Sequence, residues 1–168
     1  VVAAVMEKMT ELNIEINGGV SLVTFTPDSK DFLHWFANPD HLLAPVSLHL
    51  PYFDNVIFND CIDAREKGMD LFAKVYSFEE KIKFFGYVFE LPEFKNLPEA
   101  WKNWTMEQPY FGFSLALQKN SGIFLNDYTG KLFSENENDI LKRFSRVFEQ
   151  AYVRFLDLQK AEAQAREA

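Results

Sequence analysis

Between Ser134 and Ala168 the chain has neither glycine nor proline, and this stretch constrains the fold most because it reads as one helix longer than the domain it would cap. At about 1.5 Å per residue, residues 135–168 would run about 50 Å, against roughly 30 Å for the width of a small domain. Ser134 and Glu137 have the spacing of a capping box, and Glu135, Glu137 and Asp139 bring negative charge to the positive end of the helix dipole. From Lys160 onward the residues are only Ala, Gln, Glu, Lys and Arg. These are strong helix formers with too little apolar surface to pack on a core, so the sequence predicts a further element beyond Ala168.

Along that helix Phe144, Phe148, Ala151, Phe155 and Leu158 follow spacings of four, three, four and three. This alternation keeps one stripe facing a partner in a two-stranded coiled coil, and it predicts a parallel homodimer. Ile140, Leu141, Phe144, Val147 and Phe148 also suit a helix that simply covers the domain's own sheet, the simpler reading for the first three turns.

The 168 residues, 48% hydrophobic and with 18 Phe, suit one domain with a full core, and no Pro/Gly/Ser-rich linker divides them. A formal charge of −8, with the basic residues interspersed among acids, excludes nucleic acid as a partner, because phosphate binding needs clustered Lys and Arg. No apolar run approaches the roughly 20 residues of a membrane span, so no membrane contact is expected, and the start VVAAVMEKMTELN lacks the flank and cleavage site of a signal peptide. The single Cys61 has no disulfide partner and fits a reducing compartment.

Val2, Val5, Met9 and Leu12 have helical spacing. After the turn Asn17-Gly18-Gly19, residues 20–26 and 32–37 read as a hairpin, with Phe32, His34 and Phe36 on one face of its second strand and Leu33, Trp35 and Ala37 on the other. A third strand is expected over 46–50, then a helix over 55–67 with Asp54 as N-cap and Gly68 as the glycine past its end. A strand over 71–76 precedes a second capping box, Ser77 and Glu80, and a helix with Ile82, Phe85 and Phe89 on one face. A short helix over 99–106, with Pro98 in its first turn, carries Trp101 and Trp104, and strands over 110–117 and 122–128 close the domain. Phe111, Phe113, Leu115 and Leu117 form the buried face of the first of these. The expected fold is α+β: a single, largely antiparallel sheet with the middle helices on one face and the terminal pair on the other. Residues 1–14 form an N-terminal helix, 15–134 the domain, and 135–168 the exit helix.

His34, His41 and His49 lack ligand spacings, so no metal site is expected, and His34 and His49, on strands, read as satisfied sheet histidines. No nucleophile elbow, phosphate loop or dinucleotide fingerprint occurs, and Asp60/Asp63 and Glu79/Glu80 read as solvated faces, so no catalytic residue is assigned. The aromatic load offers a pocket for a small organic molecule, with Trp35, His49, Tyr52, Trp101, Tyr110, Phe113 and Tyr128 as candidate lining, although a close-packed aromatic core explains the same residues.

The run from Ser121 to Ala168, SGIFLNDYTGKLFSENENDILKRFSRVFEQAYVRFLDLQKAEAQAREA, resembles the closing hairpin and exit helix of GAF-like sensor modules in bacterial signalling proteins. The run from Leu50 to Glu90 is similar to the middle of such modules, with a proline-aromatic pair entering a helix that ends in A-x-x-x-G, a strand, and a helix opened by S-x-E-E-K. The resemblance implies a GAF/PAS-like fold and a cytoplasmic regulatory input domain of a dimeric protein, of the sensor histidine kinase or cyclase kind. Such a domain senses a small molecule and relays the signal through the C-terminal helix; the alternative is a ligand-free dimerisation spacer in the same kind of protein. No histidine stands in an H-[ED]-x-x-[NT] phosphoacceptor setting, and Cys61 lacks the neighbouring His of tetrapyrrole-linking relatives, so neither a cofactor nor a ligand identity carries over.

Overall fold

The computed structural model describes residues 2–37 and 47–168, with the side chains of Val2, Ala3 and Ala37 not included. The expected strand start at Val46, the histidine at position 41 and the side chain of Val2 lie outside the described residues. The described elements run α1 (Val2–Glu11), β1 (Val20–Phe25), β2 (Phe32–Ala37), β3 (Ser47–Leu50), α2 (Val56–Glu66), β4 (Leu71–Tyr76), α3 (Phe78–Val88), α4 (Pro92–Lys95), α5 (Glu99–Glu107), β5 (Phe111–Leu117), β6 (Ser121–Asp127) and α6 (Glu135–Glu167). The strands form one six-stranded antiparallel sheet in the order β3-β2-β1-β6-β5-β4, so that β1 and β6, far apart in sequence, pair at its centre.

The fold is α+β, with helices on both faces of the sheet. One layer packs α2, α3 and α4 against Val23, Phe32, Phe113 and Phe124; the other packs Met6 and Met9 of α1 and Leu141 of α6 against Leu22, Ile123 and Leu125. Strand β5 is buried on both faces, not on one as the alternation of Phe111, Phe113, Leu115 and Leu117 suggests. The intervening positions are Gly112, Ser114 and Ala116, small enough for α6 to lie close over them, and Ser145 of α6 is buried as well. Glu149 then ties α6 to the β5–β6 turn: its carboxylate accepts from the Asn120 N–H at 3.0 Å and from the Ser121 hydroxyl at 2.9 Å.

Both capping boxes form as expected, at Ser77/Glu80 and Ser134/Glu137. Replacing Ser134 by Ala removes the acceptor for the Glu137 N–H and is expected to lower stability by about 1 kcal/mol; the urea midpoint should fall with an unchanged slope. Gly68 lies past the end of α2 at φ +67, in the left-handed region that favours glycine. The N-cap of α2 is Asn55, not Asp54: Asn55 is extended and its side chain accepts from the Ile57 N–H at 2.9 Å, while the Asp54 carboxylate takes the Asn59 side-chain N–H. Pro98 caps α5 rather than opening its first turn, and β5 and β6 each begin one residue away from the expected start. The single turn α4, with Pro92 at its start and Phe94 buried beneath it, is too short to show a periodic pattern.

Candidate functional site

Between the sheet and the middle helices lies a cavity of about 70 Å³. Strand alternation builds its floor. His34 and Phe36 of β2, Phe111 and Phe113 of β5, and Phe124 and Asn126 of β6 all face it, and Phe58 and Cys61 of α2, Phe85 of α3 and Trp101 of α5 close it from above. Some of the rings interlock edge to face, as their quadrupoles favour, Phe113 and Phe124 with centroids 5.0 Å apart at 78° and Phe85 and Phe111 5.0 Å apart at 69°, while others stack, as Phe111 does on Tyr128 at 28°. Cys61 is buried, and burial together with nearby Asp60 pushes its thiol up, which leaves it an apolar wall and a poor nucleophile.

His34 is the exception in this wall. It is 9% exposed, and its imidazole stacks nearly parallel on Phe36 (5.3 Å, 16°) and faces Phe124 (6.1 Å, 20°). Neither Nδ1 nor Nε2 has a hydrogen-bond partner among the described residues. Burial pushes its pKa down to about 3, so the ring is neutral at physiological pH, with one nitrogen a donor and the other an acceptor. The reading of His34 as a satisfied sheet histidine is thereby corrected. Nearby polarity is already committed: the Asn126 side-chain amide donates to the Ser21 hydroxyl at 3.2 Å and to the Gly19 carbonyl at 3.4 Å.

Of the residues expected to line a pocket, Trp101, Phe113 and Tyr128 do so. Trp35 lies on the opposite face of β2 and packs into the layer of the terminal helices. His49 is half-exposed on the edge strand β3, where Nε2 lies 2.8 Å from the Asp31 carboxylate. Asp31 itself is held below the usual carboxylate range, chiefly by the Tyr52 N–H and further by His49. The Tyr52 hydroxyl donates to Asn59 at 2.6 Å, at the margin of the aromatic layer, and Tyr110 is exposed over Gly130. The lining also includes His34, Ser21, Phe36 and Asn126, none of them expected there, although the alternation of β2 had placed His34 with Phe32 and Phe36. Among the described residues no group of three His, Cys, Asp or Glu side chains is placed to share a metal ion.

The seam of α6 divides in two. Phe144 and Phe148 pack against the sheet-side cluster, whereas Ala151, Phe155 and Leu158 are exposed, as is Val147. Tyr152 spans the two halves, stacking on Phe148 (5.9 Å) and Phe155 (6.4 Å). The sheet therefore claims the first turns, and the free apolar stripe begins near Val147. No protein-family model, curated protein or solved structure matches this chain.

Proposed function

We propose that this chain is a regulatory input module that binds a small molecule between its sheet and its middle helices and reports occupancy through α6. The observation that carries this reading is the His34 imidazole, which faces an apolar cavity and has no hydrogen-bond partner among the described residues. A buried polar group without a partner costs about 1–3 kcal/mol, and such groups in folded proteins call for a functional explanation. A route for the signal follows from the layering. The cavity floor is built on β5 and β6, α6 lies on the reverse of the same two strands, and Glu149 fastens it to their turn. A ligand biases α6 by binding one arrangement of these strands more tightly than another.

The output is a second chain paired along Ala151, Phe155 and Leu158, with a kinase or cyclase domain beyond, as in the GAF-like modules that the sequence resembles; the setting is cytoplasmic. No described helix is long and apolar enough to cross a membrane. A ligand-free spacer is the second reading, favoured by the size of the cavity: about 70 Å³ falls below the roughly 300–1,000 Å³ of ligand clefts.

Native mass spectrometry of the purified chain tests both readings. The input module predicts a dimer carrying a non-protein mass that is lost on denaturation, and Phe155→Lys should reduce the dimer to monomer with the fold intact. Phe148 is the wrong site for this test, because it also packs on the domain. A bare species that no small molecule stabilises supports the spacer, and an unchanged dimer mass in Phe155→Lys removes α6 as the pairing element.

A further inference from the structure

We infer that the cavity takes a small, neutral aromatic molecule with one ring system bearing one O–H or N–H donor, of the phenol or indole class, and that His34 accepts its hydrogen bond. This rests on the reading above that the cavity is a ligand site. The walls select for a ring, since the cavity is lined beside His34 by Phe36, Phe113, Phe124 and Trp101, and an aromatic guest can meet them edge to face as Phe113 meets Phe124 and Phe36 meets Trp101. Charge is selected against. Among the described residues no Lys, Arg, Asp or Glu lines the cavity, so an ionised ligand would lose its hydration without an opposite charge from them to replace it.

The polar contact to the guest falls to the acceptor nitrogen of His34. The Asn126 amide already donates to Ser21 and Gly19, whereas the imidazole holds an acceptor nitrogen that no described residue uses. Size limits the guest to one small ring system. A cavity of about 150 Å³ lined by apolar side chains takes up benzene; here the space is about 70 Å³, so a guest requires the half-buried lining residues Phe36, Phe84 and Trp101 to give way.

The test uses the whole chain and four probes: p-cresol, indole, toluene and benzoate. Binding is measured by calorimetry and by the ¹⁵N shifts of the His34 ring. The proposal expects p-cresol and indole to bind and to shift the acceptor nitrogen of His34. Toluene, which has the ring without the donor, should bind about tenfold more weakly than p-cresol, and benzoate should not bind. In His34→Phe the difference between p-cresol and toluene should vanish. If that variant fails to fold, the ring shifts of the unaltered protein still decide. Equal affinity for p-cresol and toluene with an unmoved His34 ring, or benzoate binding as tightly as p-cresol, overturns the ligand class while leaving the site standing. No binding by any of the four probes, with His34 ring shifts typical of a water-bonded imidazole, overturns the class and the ligand-site reading together.

Discussion

Lowering the pH from 7 to 4.5 should destabilise the protein by about 2–3 kcal/mol through His34 alone, and His34→Phe should abolish that part of the loss. The sign follows from the direction of the shift. In the unfolded chain the ring titrates near its ordinary 6.5, whereas burial in the fold holds it neutral down to about 3. Above 6.5 both states are neutral and ionisation contributes nothing. Below 6.5 the unfolded chain takes up a proton that the folded one does not, and each pH unit then favours unfolding by up to about 1.4 kcal/mol. The groups facing the ring do not obscure this. The cavity-lining Cys61 and Tyr128 have their ionisation pushed further up by burial, and among the described residues no charged side chain lines the cavity. Asp31, whose pKa is lowered, adds acid sensitivity of the same sign as the pH falls through the ordinary carboxylate range, mostly below 4.5, and it does so in both proteins, so the difference between them from pH 4.5 to 7.5 isolates His34. Urea midpoints of the two proteins should diverge towards low pH, with the variant at least as stable at neutral pH, since an apolar ring there strands no polar atom. Parallel pH profiles for the two proteins would place the ring in a solvated or hydrogen-bonded setting and remove the basis of the site.

Much of the architecture was legible because it depends on short-range rules. The capping boxes at Ser77 and Ser134 and the glycine at Gly68 are local backbone chemistry, and they place α2, α3 and α6 to within a residue or two. The period-2 pattern of β2 correctly grouped Phe32 with His34 and Phe36, and Leu33 with Trp35. It could not say which group faces which layer, because that depends on pairing: His34 lies opposite Val23 of β1, whose side chain belongs to the middle-helix core. Trp35 was therefore taken for a pocket residue although it faces away. Hydrogen-bond satisfaction was not legible at all. His34 and His49 both sit on strands beside apolar neighbours, yet His49 finds Asp31 across 18 positions of sequence and His34 finds no partner among the described residues. Nor could the α6 pattern be apportioned in advance, since an apolar stripe of the same spacing serves a sheet at Phe148 and faces solvent at Phe155.

Lys81→Met should cost about 2–4 kcal/mol, lowering the melting temperature by roughly 5–15 °C, whereas Lys83→Met on the same helix should stay within about 0.5 kcal/mol. Lys83 is exposed; Lys81 has no solvent access, although both fall on the helix opened by Ser77. The Lys81 ammonium donates to the Met106 carbonyl at 2.8 Å and to the Gln108 carbonyl, and it lies over the Phe78 ring at 4.6 Å. Those carbonyls stand at the C-terminal end of α5, where helix backbone acceptors run out of intrahelical donors and the dipole is negative. Burial pulls the lysine below its ordinary pKa, yet the two carbonyls and the ring give the ammonium a setting in which it replaces its lost hydration. Methionine fills nearly the same volume with no donor, so it strands both acceptors without opening a large void and isolates the polar contribution. The consequence reaches the cavity, because α5 presents Trp101 to it and Lys81 is the bond that holds the end of α5 to α3. In Lys81→Met, backbone amides of α5 should exchange faster than those of α2, and any guest held against Trp101 should bind more weakly, while Lys83→Met leaves both unchanged. Equal stability of the two variants would mean that water serves the α5 carbonyls as well as the lysine does.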